Sequence, residues 1–244
     1  MPQYSFGSGT LIGVNTTANS TPVNFGGLQD VTLDFSFNLK ELHGQYQFPL
    51  AVGRGTGKIT GQAKFAQVNG LILNSLFFGL SSTVGQLQTA FHEAGTVPGT
   101  PYQITVANAA TFVTDYGVIN SLTGIPLTKV ASAPTTGQYS VSNVGVYTFA
   151  AADTTLAMLI SYTYTTSASG NKTIISNQLL GTAPTFKIAL YETYNSKALT
   201  IELNQCIAAK LNFATKLEDF TIPGFDFSAF ADASGNLGTI SMAE

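Results

Sequence analysis

Val31-Thr32-Leu33-Asp34-Phe35-Ser36-Phe37 alternates apolar and polar side chains without a break. Successive side chains of a strand point to opposite faces, so Val31, Leu33, Phe35 and Phe37 share one face and Thr32, Asp34 and Ser36 the other. A half-buried strand is expected here, and the chain around it reads as mainly β. Lys58-Ile59-Thr60-Gly61-Gln62-Ala63-Lys64-Phe65-Ala66 alternates again, with Ile59, Ala63 and Phe65 on one face together with Gly61. Between the two, Leu39 to Gly57 loses the pattern and carries Lys40, Glu41, His43, Tyr46, Phe48 and Arg54. A loop of that length is uncommon inside a compact domain and is usually functional or disordered. Two strands joined in this way form an extended hairpin.

Working outward, Thr10-Leu11-Ile12-Gly13-Val14 is a short strand, followed by an Asn/Thr/Ser-rich turn region. After the hairpin, Asn69 can cap a helix and Gly79 can end one. Leu71, Ile72, Leu73, Leu76, Phe77 and Phe78 lie between them, too crowded for a solvent-facing helix. One short helix packed on the sheet is expected. Glu93 to Thr100 reads as a linker, and Ala168-Ser169-Gly170-Asn171 as a second flexible stretch. Between them short strands recur at Gln103 to Val106, Val113 to Val118, Pro126 to Val130, Gln138 to Val141, Val146 to Phe149 and Met158 to Thr165. That spacing indicates a small β-sandwich.

Toward the C-terminus, Phe186 to Leu190 and Leu199 to Leu203 alternate and are joined through Glu192 to Lys197, a hairpin signature. Ile207 to Ala214 places Ile207, Ala209, Leu211 and Phe213 on one face. The first and last segments each lack a full sheet. Together, as 1–85 and 173–244, they form one β-rich domain with a helix, into which 101–167 is inserted as a second domain.

Composition narrows the function. Of 244 residues, 44% are hydrophobic and only 9% charged, against about 25% charged in an average soluble domain. Monomers normally stay soluble by covering themselves with charge. A chain that uses Thr, Ser, Asn, Gln and Gly instead suits a secreted β-protein or a subunit covered by its neighbours. The net charge of −3 offers no basic surface for gripping nucleic-acid phosphates, although a mildly acidic wall suits a channel through which DNA slides. The opening Met1-Pro2-Gln3-Tyr4-Ser5 has neither a basic nor an apolar region, so no secretion signal is expected. No apolar run approaches membrane-spanning length. Asn15, Asn19 and Asn171 begin glycosylation sequons, read here as turns.

Catalytic constellations are weak. Gly53-Arg54-Gly55-Thr56-Gly57-Lys58 resembles a phosphate loop, but Ile59 follows where Ser or Thr is needed, and a strand follows rather than a helix. His43 and His92 are the only histidines, and neither has a partner at metal-ligating spacing. The single Cys206 is a small core residue or a neutral position near a strand end. Glu218, Asp219, Asp226 and Asp232 could supply paired carboxylates for glycoside hydrolysis, yet Asp226 sits between two phenylalanines and the chain has no Trp to stack a sugar. No nucleophile-elbow motif accompanies the many serines. No cofactor or metal is expected, and the chain does not read as an enzyme. More telling is the run Phe220, Phe225, Phe227 and Phe230, which either fills the subunit's own core or forms an arm that a partner must cover.

The order strand (Val31–Phe37), long loop (Leu39–Gly57), strand (Lys58–Ala66), short helix (Asn69–Gly79) resembles the core of bacteriophage tail tube proteins. The closing Lys216 to Pro223 and Asp226 to Asp232 look like endings of phage structural proteins of this type. The inserted segment resembles immunoglobulin-like decorations of phage virions. The resemblance implies a tail-tube-like β-sandwich or barrel core, assembled in the bacterial host cytoplasm into hexameric rings stacked as a hollow virion tail. It implies contacts with other phage tail proteins, passage of DNA during ejection without specific binding, and no membrane binding. It further implies that the long loop, with Lys40, Glu41, Tyr46, Phe48 and Arg54, reaches the adjacent ring, and that Phe220, Phe225, Phe227 and Phe230 form a subunit-contact arm. Asp34 and Glu202, on polar strand faces, become lumen candidates, or else belong to an ordinary solvated face. Two other readings stay open: another phage structural or decoration protein, and a carbohydrate-binding β-sandwich protein.

Overall fold

The computed structural model describes residues 4–17, 19–67, 70 and 72–243. The opening Met1-Pro2-Gln3 and, at the expected start of the helix, Asn69 and Leu71 lie outside them, as does the side chain of Leu73. The chain is mainly β. In chain order its strands are β1 (Thr10–Asn15), β2 (Val23–Asn24), β3 (Leu28–His43), β4 (Pro49–Phe65), β5 (Thr83–Thr96), β6 (Gln103–Thr105), β7 (Phe112–Asn120), β8 (Thr128–Lys129), β9 (Gln138–Val141), β10 (Val146–Phe149), β11 (Ala157–Lys172), β12 (Thr185–Tyr194), β13 (Lys197–Asn212), β14 (Gly224–Phe230) and β15 (Gly238–Met242). Two compact units result, 1–81 with 173–244 and 82–172. The second unit is longer than the 101–167 expected, because β5 and the whole of β11 belong to it.

The first unit is an eight-stranded sheet in the order β2-β1-β12-β13-β14-β4-β3, with β15 added beside β13. Its register aligns the apolar positions read from the sequence. Val31 faces Ala63 and Leu33 faces Gly61 across β3 and β4, while Ala63 faces Phe225 and Gly61 faces Phe227 across β4 and β14. Directly opposed residues share a face, so one side of the sheet gathers Leu11, Ala63, Phe186, Ile188, Leu203, Cys206, Phe225 and Phe227 into a core. The Phe227 ring lies across Gly61, where any Cβ would sit 2.1 Å from it; β4 needs glycine there for the ring to settle.

Ile72–Phe78 is helical as expected, but wound as a π-helix. Ile72 and Leu76 reach into the core, and buried Asn74 hydrogen-bonds the Thr173 hydroxyl. The β12–β13 turn tightens to two residues, Asn195 and Ser196, both at positive φ (49° and 62°). That is the twist a two-residue hairpin requires. A bulge at Ala208/Lys210 shifts the register of β13, so Ala208 and Leu211 pack on the core while Ile207, opposite Ser228, faces away.

The second unit is a sandwich of a three-stranded sheet, β5-β11-β7, and a four-stranded sheet, β6-β10-β9-β8. Met158, Ile160 and Tyr162 from the first meet Tyr139, Tyr147 and Phe149 from the second. Each strand read from the sequence in this segment has a counterpart. The expected linker does not: Glu93 to Thr96 ends β5, which pairs with β11 from Thr83↔Lys172 to Thr96↔Ala157.

Polar groups inside this sandwich are paired. The Asp115 carboxylate, with its side chain 4% exposed, accepts from the Tyr139 hydroxyl (2.8 Å), the Tyr147 hydroxyl (2.9 Å), the Gly117 N–H (3.0 Å) and the Lys129 ammonium (2.9 Å). Burial alone would raise its pKa; the ammonium and the other donors outweigh that and hold it below the ordinary carboxylate value. Burial, and the Asp115 charge beside them, push both tyrosines well above their ordinary value. Tyr162 donates to Glu93 (2.5 Å) and accepts from the Asn108 side-chain amide (3.1 Å).

Candidate assembly surface

The segment expected as a loop is the outer half of a paired β-ribbon. Beyond Phe37↔Gly57 the ladder resumes after a bulge with Leu39↔Arg54, Lys40↔Gly53, Glu41↔Val52, Leu42↔Ala51 and His43↔Pro49. Only Gly44 to Phe48 remain as the tip. The ladder satisfies backbone groups between the strands, but both faces of the ribbon are open to solvent. Alternation fails in the sequence for that reason: neither face has a core to serve.

This arm is apolar for something so exposed. Phe35, Phe37, Leu39, Leu42, Tyr46, Phe48, Leu50 and Val52 are all half to four-fifths exposed. At about 180 Å² for a fully exposed side chain, they present roughly 900 Å². The sum is spread over both faces and the tip of the ribbon, and it is comparable with the area, about 800 Å², of one side of a stable interface. The Arg54 guanidinium stacks on the Phe37 ring at 4.6 Å, and Glu41 pairs with His43 at 3.0 Å. Lys40 points to the opposite face with Leu42, as their spacing of two requires. Tyr46 and Phe48 stand at the tip, 71% and 80% exposed. The five residues assigned to the loop thus lie on one arm.

Two further features adjoin it. First, β3 ends the strand order, so along one edge its backbone has no partner strand among the described residues; such an edge is a template for another strand. Second, the core face of the sheet continues past its own cover as an open groove of about 570 Å³, lined by Phe35, Phe37, Ile59, Ala229, Leu237 and Ile240 among others.

The C-terminal phenylalanines divide. Phe225 and Phe227 are fully buried in the subunit's own core, on the strand between β13 and β4, so they do not form a contact arm. Their period of two, Phe225-Asp226-Phe227, is that of a half-buried strand. Phe220 is 89% exposed on the preceding turn, and Phe230 borders the groove at 38%.

Asp34 and Glu202 both face away from the core. Their face is not acidic. Asp30, Asp34, Asp226 and Glu202 are interspersed with Lys58, Lys64, Lys187 and Lys210, with Lys64 on Asp30 at 3.4 Å, Lys187 on Glu202, and Gln62 on Asp226 at 2.9 Å. A charge-balanced face neither holds nor repels a polyanion strongly.

The carboxylates near the C-terminus are engaged separately: Asp219 by Lys216 (3.2 Å), Asp226 by Gln62, and Asp232 by Asn204 and the N–H groups of Ser234 and Asn236. The Asn236 and Ser234 N–H groups and the Asn204 amide hold Asp232 below the ordinary carboxylate value. Gly53 to Lys58 is strand, not a phosphate cradle. Buried Cys206 is pushed up to about 12 by desolvation, a thiol rather than a thiolate. Among the described residues no group of three or more His, Cys, Asp or Glu could hold a metal, and no helix is long and apolar enough to cross a membrane. No protein family matches the chain, and no curated protein is similar to it.

Proposed function

We propose that this chain is a structural subunit that assembles with copies of itself, and that the assembly is the tail tube of a bacteriophage. The observation that carries self-assembly is the β3–β4 arm: roughly 900 Å² of uncovered apolar side chain on a ribbon whose outer strand is a free sheet edge. Water does not stabilise such a surface, whereas a second copy does, by removing the apolar area and pairing the edge. The tail tube itself rests on the resemblance in element order, with sheets of neighbouring subunits joined into a barrel, the arm reaching the next ring, and DNA passing through without specific contacts. The role is structural, with no reaction assigned to any residue.

Electron microscopy of the purified chain tests this. Rings or hollow tubes are expected, along with folded monomers when the outer ribbon, Asn38 to Thr56, is replaced by a tight turn between Phe37 and Gly57. A full-length chain that stays monomeric at high concentration overturns the self-assembly reading. Assemblies without a lumen overturn the tube.

A further inference from the structure

We propose that the outer face of the three-stranded sheet in the second unit, where Phe91 and His92 of β5 and Tyr116 of β7 flank Ser161 of β11, binds a pyranose unit of a neutral polysaccharide. The site stands independently of tube assembly.

The register builds it. On β11, Ile160 faces Glu93 and Tyr162 faces Ala90, leaving Phe91 and His92 opposite Ser161 alone. On the other flank Ile160 faces Val118 and Tyr162 faces Asp115, leaving Tyr116 and Gly117 opposite the same serine. Both neighbours of one strand therefore bulge at one level. Ile160 and Tyr162 point into the sandwich core, so Ser161 and the bulged residues point out. His92 (φ 58°) and Gly117 (φ 107°) take the left-handed backbone the bulges need. Bulges are enriched beside functional sites, where they re-aim side chains.

The result is an outer sheet face on which exposed aromatic rings flank a polar centre. The Phe91 and His92 rings stack with centroids 3.8 Å apart, and Phe91 is 74% exposed. Tyr116, 64% exposed, stands across the central strand, two strand spacings or about 9.6 Å away. That separation admits one sugar ring, whose C–H groups meet the negative face of an aromatic ring. On the floor Ser161 is 8% exposed; its Oγ accepts from the His92 N–H (3.2 Å), and its own proton has no acceptor among the described residues. That proton is available to donate to a ligand. The strand alternation places no Lys, Arg, Asp or Glu on this face of β5, β7 or β11 between Leu87 and Ala94, Thr114 and Ile119, or Leu159 and Thr165. A neutral, hydroxyl-rich ligand fits that chemistry, and a polyanion does not.

The test applies the full-length chain to immobilised neutral oligosaccharides of glucose, galactose, mannose, rhamnose and N-acetylglucosamine. Sialylated and sulfated sugars and a proline-rich peptide serve as comparison probes, and any hit is titrated by calorimetry. At least one neutral family should bind, with affinity falling about 10-fold or more in Phe91→Ala and in Tyr116→Ala, and retained in Phe91→Trp. Both alanine variants alter exposed rings, so their unfolding midpoints should match the parent. Ser161→Ala, if folded, should lose several-fold. The proposal is overturned if no neutral sugar binds more tightly than about 10 mM, if charged sugars or the peptide bind in preference, or if the two alanine variants bind like the parent.

Discussion

The two units solve the same problem of covering a β-sheet in opposite ways. The second unit closes on itself: two sheets share a tyrosine-rich core, and its buried carboxylate Asp115 is ringed by donors from β8, β9, β10 and the β7 bulge. The first unit covers only the middle of its sheet. Its core is complete around Phe225 and Phe227, but the same apolar face runs on through Phe35 and Phe37 to an arm with water on both sides. Both sheets come from the same period-two code. What differs is whether the covering layer lies within the subunit. The apolar side chains of the second unit are largely covered from within it, whereas in the first unit a run of them stays open to solvent.

The sharpest way to break this contrast is to separate the halves. Residues 82–172 expressed alone should fold and stay monomeric, while a chain with Ser81 joined to Thr173 by a short linker should fold and self-associate; sedimentation of each fragment decides. Next in size is the core of the first unit. Phe225→Ala should cost about 3–5 kcal/mol in urea unfolding, whereas the exposed Phe220→Ala should fall within about 0.5 kcal/mol. In the second unit, Asp115→Asn should destabilise by about 3 kcal/mol, because Lys129 and the two tyrosines lose their common acceptor.

A pH series sharpens the same point. Because the folded state holds Asp115 below its ordinary value of 3.8, the unfolded chain binds the proton more readily. The carboxylate's contribution is present above about pH 4 and is lost as pH falls through the folded value. The isolated second unit should weaken on acidification over that window, and the Asn variant should show a flatter acid limb. The smallest expected effect is Phe48→Ser on monomer stability, within about 0.5 kcal/mol; the same change should slow assembly measurably in light scattering. If it instead unfolds the monomer, the arm is part of a core and the contrast between the halves is wrong.

Where a strand serves a core, its sequence announces it. Val31 and Leu33 at the start of β3, the six short strands between Gln103 and Thr165, and the β12–β13 hairpin carry the alternation that the structure uses, whereas Phe35 and Phe37 alternate in sequence but stand half exposed. Leu39 to Gly57 hid its strands because both faces of the ribbon are wet, so nothing selects an alternating pattern. Thr83–Thr96 hid for another reason. The Phe91–His92 bulge breaks its period, and Gly95 with Pro98 and Gly99 resembles a linker. The spacing of Phe225 and Phe227 is that of a half-buried strand, but spacing alone leaves open whether the covering layer is the subunit's own core or a partner. The double bulge at Ser161 could not be read at all, because a bulge is a relation between neighbouring strands that neither sequence encodes alone.

Thr83 and Lys172 close the β5–β11 ladder as adjacent partners, and Asn74 ties Thr173 to the π-helical turn that leads into the module. The entry and exit of 82–172 are thus neighbours, about one strand spacing apart. A graft joined at so narrow a stem imposes almost no geometry on its host. Lineages could exchange, lose or diversify this cassette while the host sheet kept its own architecture.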